Sequence, residues 1–433
     1  MIQRSLILSV CILSCAAAGS ASTSETDVLS SDMINVRTHG ATGDGQTLDT
    51  AALQRALDAC AEQGGGTVLF PAGTYLSGAL FIKGDHVVLQ FEKDAVLKGS
   101  TDVNHYPQID TRFEGTERKY AAALLNGRDL RDITLTGTGT IDGSGQPWWD
   151  AYNARRRGET PTGYELETRP RLICLYECRD VLIETLTLKN PAFWNLHFVY
   201  CENVRAEKLT IRAPRGALSS DGIDVDSCRH VLIRDCDIAC DDDCISVKSG
   251  RDADGLRVNR PSEDIVIRDC TLGPAGCMVS MGSETAGGIR RVLIENCTGR
   301  DARNGLRLKT APGRGGTVED ITFRNITFKD MLYCIVFNMR WGTSSWPDDT
   351  YPPEAVPVFK NIRMIDVIGS GERAGLLQGL AESPLRDILF KNVKITAQTG
   401  MRVRNAPGID LSGLTIEVSE GEPFIEINNP TQH

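Results

Sequence analysis

The sequence predicts an all-β solenoid, a right-handed parallel β-helix with an N-terminal capping helix, and three observations predict it. A short strand cue recurs with its first branched residue at Ile133, Val181, Val231, Ile265, Val292, Ile321, Ile362 and Ile388, with weaker members at Val87, Val204 and Ile409. Four residues after many of these markers stands Asp235, Asp269, Asn296, Asn325, Asp366 or Asn392, and five after stands Cys236, Cys270, Cys297, Ile326, Val367 or Val393. Most neighbouring markers lie 23–34 residues apart, which leaves room for several short strands in each repeat. The Asp and Asn side chains hydrogen-bond their own backbone and so turn the chain, while the apolar series fills the interior. Each turn then buries its apolar face only against its neighbours, over roughly ten turns.

The elements follow in order. Residues 1–22 read as an export leader, with Arg4 before an apolar run from Ser5 to Ala18 that is too short to span a membrane as a mature helix. Ile12-Leu13-Ser14-Cys15 also has the form of a lipoprotein cleavage box, which would leave Cys15 lipidated; ordinary cleavage near Ala18 is the alternative. Either way the protein is expected to be exported, whether periplasmic, anchored at the outer membrane through Cys15, or extracellular. Residues 23–433 form one elongated domain, because a solenoid grows in one dimension and escapes the size limit on a single compact core. Within it, residues 49–63 carry the one convincing helical pattern, stopped by Gly64-Gly65-Gly66 and placed to cover the open end of the solenoid.

Fourteen cysteines in an exported chain invite a disulfide framework. Their phase argues otherwise. Cys178, Cys201 and Cys228 each precede a marker by three residues, and Cys236, Cys270 and Cys297 each follow one by five, as stacked interior residues would. Cys240 and Cys244 are close enough in sequence to bridge. The six histidines form no cluster and no His/Cys set has zinc spacing, so neither a metal nor a cofactor is expected.

A net charge of −10 argues against nucleic acid as a partner. Between Ile245 and Arg314, however, twelve Lys and Arg outnumber eight Asp and Glu, a local excess that suits an acidic sugar as well as plain solvated surface. Just before that stretch lie the candidate catalytic residues. Asp221, in Ser219-Ser220-Asp221-Gly222-Ile223-Asp224, and Asp242 with Asp243, in Asp241-Asp242-Asp243-Cys244-Ile245, occupy corresponding places in successive repeats. Stacking brings such residues onto adjacent turns about 4.8 Å apart. Paired carboxyl groups flanking one bond are what acid/base cleavage of a glycoside needs.

These segments resemble glycoside hydrolase family 28, the polygalacturonase-like pectin hydrolases of the pectin lyase-like solenoid fold. Asp242-Asp243-Cys244-Ile245-Ser246-Val247-Lys248-Ser249-Gly250 is similar to its Gly-Asp-Asp segment, Ser219–Asp224 to its Asn-Thr-Asp segment, and Arg307-Leu308-Lys309 to its Arg-Ile-Lys segment. His39-Gly40-Ala41-Thr42-Gly43-Asp44-Gly45 resembles the opening of pectin-active β-helices. The resemblance implies inverting hydrolysis, with Asp242 as general acid, Asp221 and Asp243 on the attacking water, and Arg307, Lys309 and Lys248 toward the substrate; Glu284 either lines the sugar site with them or caps a turn. Departures are clear: Gly273–Met278 lacks the histidine found there in family members, Ser219 and Ser220 replace Asn and Thr, and Asp241 replaces a glycine. The insertion Gly250–Glu263 and Gly282-Ser283-Glu284 resemble the bacterial exo-acting branch. The expected partner is therefore a pectic polysaccharide or oligosaccharide, cleaved from chain ends by a monomer, with Trp341–Pro357 walling one end of the cleft. A rhamnogalacturonan hydrolase, a calcium-dependent β-helix lyase and an inactive pectin-binding protein remain alternatives. Trp148-Trp149 and Phe193-Trp194 are expected in loops, packed rather than stacked on sugars.

Overall fold

A computed structural model describes residues 33–165, 168–342, 350–407 and 409–426. The expected leader, with Cys15, and residues 343–349 of the expected wall lie outside the described residues.

The described chain winds as a parallel β-helix whose turns present strands to three faces. The markers form one row of the first face. Ile133, Val181, Val204, Val231, Ile265, Val292, Ile321, Ile362 and Ile388 are successive register partners, and Val87 precedes Ile133. Ile409 continues the row beside an isolated bridge between Leu389 and Asp410. All the paired markers are buried, at 4% exposure or less, so the alternation that suggested strands is the alternation of core and surface.

Each strand of this face is bracketed by left-handed corners. The residue before the marker has φ of 50–59° at Asp132, Asp180, Asn203, His230, Asp264, Arg291, Asp320, Asn361 and Asp387. The residue four after it has φ of 51–60° at Thr185, Lys208, Asp235, Asp269, Asn296, Asn325, Asp366 and Asn392. Asn and Asp tolerate this conformation because their short polar side chains bond locally. Here they also bond vertically: Nδ2 of Asn203 donates to Asp180 (2.9 Å), that of Asn325 to Asn296 (2.8 Å) and that of Asn392 to Asp366 (2.7 Å).

The twelve described cysteines are all buried and unbridged, Cys240 and Cys244 included. Two series stack as interior columns, Cys178 with Cys201 and Cys228, and Cys236 with Cys270 and Cys297; in the first, the Cys201 amide donates to Cys228 Sγ at 3.2 Å. The capping helix spans Thr50–Glu62 and buries Ala52, Leu53, Ala56, Leu57 and Cys60. Asp49, buried at its start, accepts from the amides of Thr42 (2.7 Å) and Gly43 (2.9 Å), which ties the His39–Gly45 segment to the cap.

Two further helices escaped the sequence reading, Gln146–Arg156 and Asp252–Val258. Trp148 and Trp149 therefore lie on a helix and not in a loop, with Pro147 in its first turn, where the missing N–H costs nothing. Packing was the right expectation for both: their indole N–H groups donate to the carbonyls of Thr168 (3.1 Å) and Pro191 (2.9 Å). One antiparallel hairpin, Gln108–Phe113 with Thr116–Ala121, stands outside the coil and bears on the site.

Candidate active site

The site lies on the third face, at the starts of strands Ile223–Asp226 and Asp243–Lys248 and along the later part of Thr298–Lys309. Ile223 pairs with Ile245, so Asp221 and Asp243, each two residues earlier, stand level on adjacent turns; the Gly222 amide donates to the Asp243 carbonyl at 2.9 Å. Asp221, Asp242 and Asp243 each offer an oxygen, all within 4.8 Å of one another. The third member of the acidic run turns away: Asp241 accepts from the Gly216 amide (2.8 Å) and its own amide donates to Ser220 Oγ (3.0 Å), a clamp between turns.

The three carboxyls have different surroundings. Burial works to raise Asp243, but Arg307 on one oxygen and Lys309 on the other (3.0 Å) outweigh it and hold the carboxyl well below its usual range. Burial raises Asp221 far above it, helped by Asp224 and Asp242. Asp242 is raised by burial and by Asp243, against the pull of Lys309 and Arg307. One carboxylate stays ionised while two neighbours hold protons more tightly, the separation that acid/base work requires.

Arg307 and Lys309 reach Asp243 from two turns away, since Asp243 pairs with Cys277 and Cys277 with Asn304. Arg307 also donates from Nε to Ser280 Oγ (3.3 Å), and Trp341 covers both cations, with its ring centroid 4.9 Å from the guanidinium and 5.4 Å from the ammonium. Lys248 is placed differently from the expectation of a substrate contact. It is 4% exposed, with Nζ 2.8 Å from Asp224, 3.5 Å from Asp221 and 3.6 Å from the centre of the Trp194 ring. Two buried carboxylates would be intolerable without this countercharge, and the ammonium is committed to them. Glu284 is buried at 7% exposure; its carbonyl caps the Ser249 amide (2.8 Å), while its side chain keeps one oxygen, Oε2, without a partner.

Sequence reasoning missed Asp224 and Asp226. In Ile223-Asp224-Val225-Asp226 the strand alternation that buries Ile223 and Val225 in the core sends both acids to the site face, and that pattern was the available signal. Burial lifts Asp224 to about 7 despite Lys248, whereas Arg112 (3.1 Å) and His197 outweigh burial and keep Asp226 low. His197 does not replace the missing family histidine: it is fully buried, its Nδ1 lies 3.0 Å from Arg171, and burial lowers it to about 3. At the expected place, Gly276 packs on the backbone of Asp242 and Cys277 is buried. The basic stretch is mostly spent elsewhere. Arg290 pairs with Glu263, Arg291 with Asp264, Arg257 with Asp254 and Glu117, and Arg260 with Glu177.

A groove of about 1320 Å³ starts at Asp242, Arg307 and Lys309 and runs along the later turns. On the other side of the carboxylates the space is filled. Phe113 stacks on Tyr120 (3.9 Å) and contacts Phe193 (5.2 Å), which stacks on Trp194 (4.8 Å). The hairpin carrying Phe113 and Tyr120 is pinned through Arg112 on Asp226 and through Arg171, which donates to the Arg112 carbonyl (3.0 Å) and Thr111 Oγ1 (3.1 Å). Of the expected wall, Trp341–Pro357, the first residue, Trp341, lines the groove.

Comparison with known proteins agrees with this geometry. A "Probable polygalacturonase" of Vitis vinifera is 36% identical over 367 residues, covering 82% of this chain and 72% of that one. The "Exo-poly-alpha-D-galacturonosidase" of Dickeya chrysanthemi is 26% identical, covering 88% and 70%. The solved exopolygalacturonase of Thermotoga maritima superposes with a TM-score of 0.75 at 29% identity, covering 89% of this chain and 91% of that one. The sequence profile of glycosyl hydrolases family 28 matches residues 60–414, a span that includes every carboxylate and both groove cations just described, and the chain belongs to that family.

Proposed function

We propose that the protein is an exo-acting hydrolase of galacturonic-acid-containing pectic chains that works with inversion. The observation that carries the exo reading is the one-sided groove: open along the later turns, filled by Phe113, Tyr120, Phe193 and Trp194 behind Asp221. A chain end fits such a site and a continuous strand does not. Asp242, at the groove surface with a raised proton affinity, is the general acid. Asp221 and Asp243 hold the attacking water.

Two-carboxylate inverting enzymes commonly keep their groups about 6.5–9.5 Å apart and retaining ones about 5–5.5 Å. Here oxygens of three carboxyls lie within 4.8 Å, so the usual distance rule does not discriminate. The cations favour inversion: with its two oxygens engaged by Arg307 and Lys309, Asp243 is a poor nucleophile and a poor calcium ligand, which also speaks against a lyase. Residues 1–22 complete the reading as an export leader, since the polymer lies outside cells; mass spectrometry of the mature N-terminus tests it and reports any lipid on Cys15.

A product-resolved digest of galacturonan and rhamnogalacturonan oligosaccharides, with NMR of the first anomer released, tests the rest. End-derived galacturonate as the inverted anomer is expected. Early internal fragments would remove the exo reading, a retained anomer the inverting one, and ultraviolet-absorbing unsaturated products the hydrolase.

A further inference from the structure

The groove changes sign along its length. At its catalytic end Arg307, Lys309 and Arg303 lie on one turn beside Asp242. Register then carries the lining outward one turn at a time, Ala302 being followed by Met331, Gly371, Ala397 and Val418. Over those further turns the lining holds Asp330, Glu372 and Glu417, all exposed, and no Lys or Arg among the described residues. At about 4.8 Å per turn these four steps carry the uncompensated acidic stretch roughly 19 Å past the cations. Arg215, the remaining cation of the lining, is spent on Asp301 at 2.7 Å. Arg373 stands next to Glu372 but is turned onto Tyr333, donating to its hydroxyl at 2.6 Å, and does not line the groove.

A galacturonan carries one carboxylate per sugar. Laid in this groove, a uronate next to the scissile bond meets cations, and those further out meet like charge. Exposed charges of one sign within about 10 Å repel at 0.1 M salt, and more strongly when salt is lower. We propose that the distal acids select short oligogalacturonides, of two or three sugars, against the polymer. This rests on the galacturonide-hydrolase reading above and adds to it a place in a reaction sequence: an endo-acting depolymerisation of galacturonan must supply the substrate.

The test is calorimetric binding of galacturonides of two to six sugars to the Asp242→Asn variant, with a chelator present, so that no divalent ion bridges carboxylates. At about 0.01 M salt, affinity per chain end should be highest for the dimer or trimer and fall at least threefold by the hexamer. That fall should vanish at about 1 M salt and in a variant combining Asp330→Asn, Glu372→Gln and Glu417→Gln. Affinity that climbs with every added uronate, or a length preference that the triple variant leaves unchanged, overturns the proposal. Binding separates this from the catalytic reading: a parent that releases no reducing sugar from any galacturonide refutes hydrolysis, while the length series still decides the role of the acids. Absence of binding at every length refutes both.

Discussion

Replacing Arg307 by Gln tests the assignment of the ionised carboxylate. Arg307 is 3% exposed, so its bond to Asp243 is little screened, and after the change only Lys309, at 3.0 Å, holds that carboxyl. A hydrogen bond to a charged group is worth about 1.5–3 kcal/mol, and 1.36 kcal/mol is one pKa unit, so Asp243 should rise by about 1–2 units. The sign follows from its depressed folded value. Its contribution to stability is complete above the unfolded carboxylate value and is lost as pH falls through the folded one, and raising the folded value shrinks it. Breaking a buried pair commonly costs about 3–5 kcal/mol, and the surviving Lys309 places this case near 3. Two assays check it: the pH dependence of initial rates on digalacturonate, and thermal melting at neutral pH. The acid limb should move up by about 1–2 units, with a smaller shift for Arg307→Lys, which keeps the charge but not the planar fork. An unmoved acid limb with a loss confined to KM would show that Arg307 grips substrate alone and that Asp243 is set by something else.

Asp242→Asn should lower kcat by about 10²–10⁴ while leaving galacturonide binding within a few fold, measured by reducing-sugar release and calorimetry; near-parental kcat would move the acid role elsewhere. Lys248→Met should destabilise more at pH 8 than at pH 5. Asp224, already lifted to about 7, holds a proton that the unfolded chain has released, so stability falls as pH rises from about 4 toward that value, and losing the ammonium extends the fall; an equal drop in Tm at both pH values would leave Lys248 a packing role only. The twelve described thiols should resist a thiol reagent in the native protein and react fully in guanidinium, since all are buried; rapid native labelling would contradict the interior columns.

What was legible in the sequence was what repeats. The marker row and the Asp/Asn corners recur on successive turns, so each copy reports on the others, and the approach of Asp221 to Asp242 and Asp243 follows from that register. What is particular to one turn was not legible. The burial of Lys248 depends on which carboxylates the stack places beside it. The closed end of the groove depends on Arg112 meeting Tyr200, 88 residues away, a contact that no local pattern encodes. The Gln146–Arg156 helix carries two tryptophans and a proline where a long amphipathic repeat would announce itself, so its periodicity was too weak to see. Thr185, Lys208 and Arg291, in left-handed corners without a favourable side chain, show the stack imposing conformation on residues that do not ask for it.

Register confines the chemistry to a short block of consecutive rungs, from Asp221 through Asp243 and Ser280 to Arg307 and Lys309. Because each rung touches only the next, rungs beyond this block can be gained or lost whole without displacing a single reacting atom. In such an architecture, how a bond is broken and how much of a chain is gripped are inherited separately. Duplication of a distal rung would redraw the choice of substrate in one step and leave the reaction as it was.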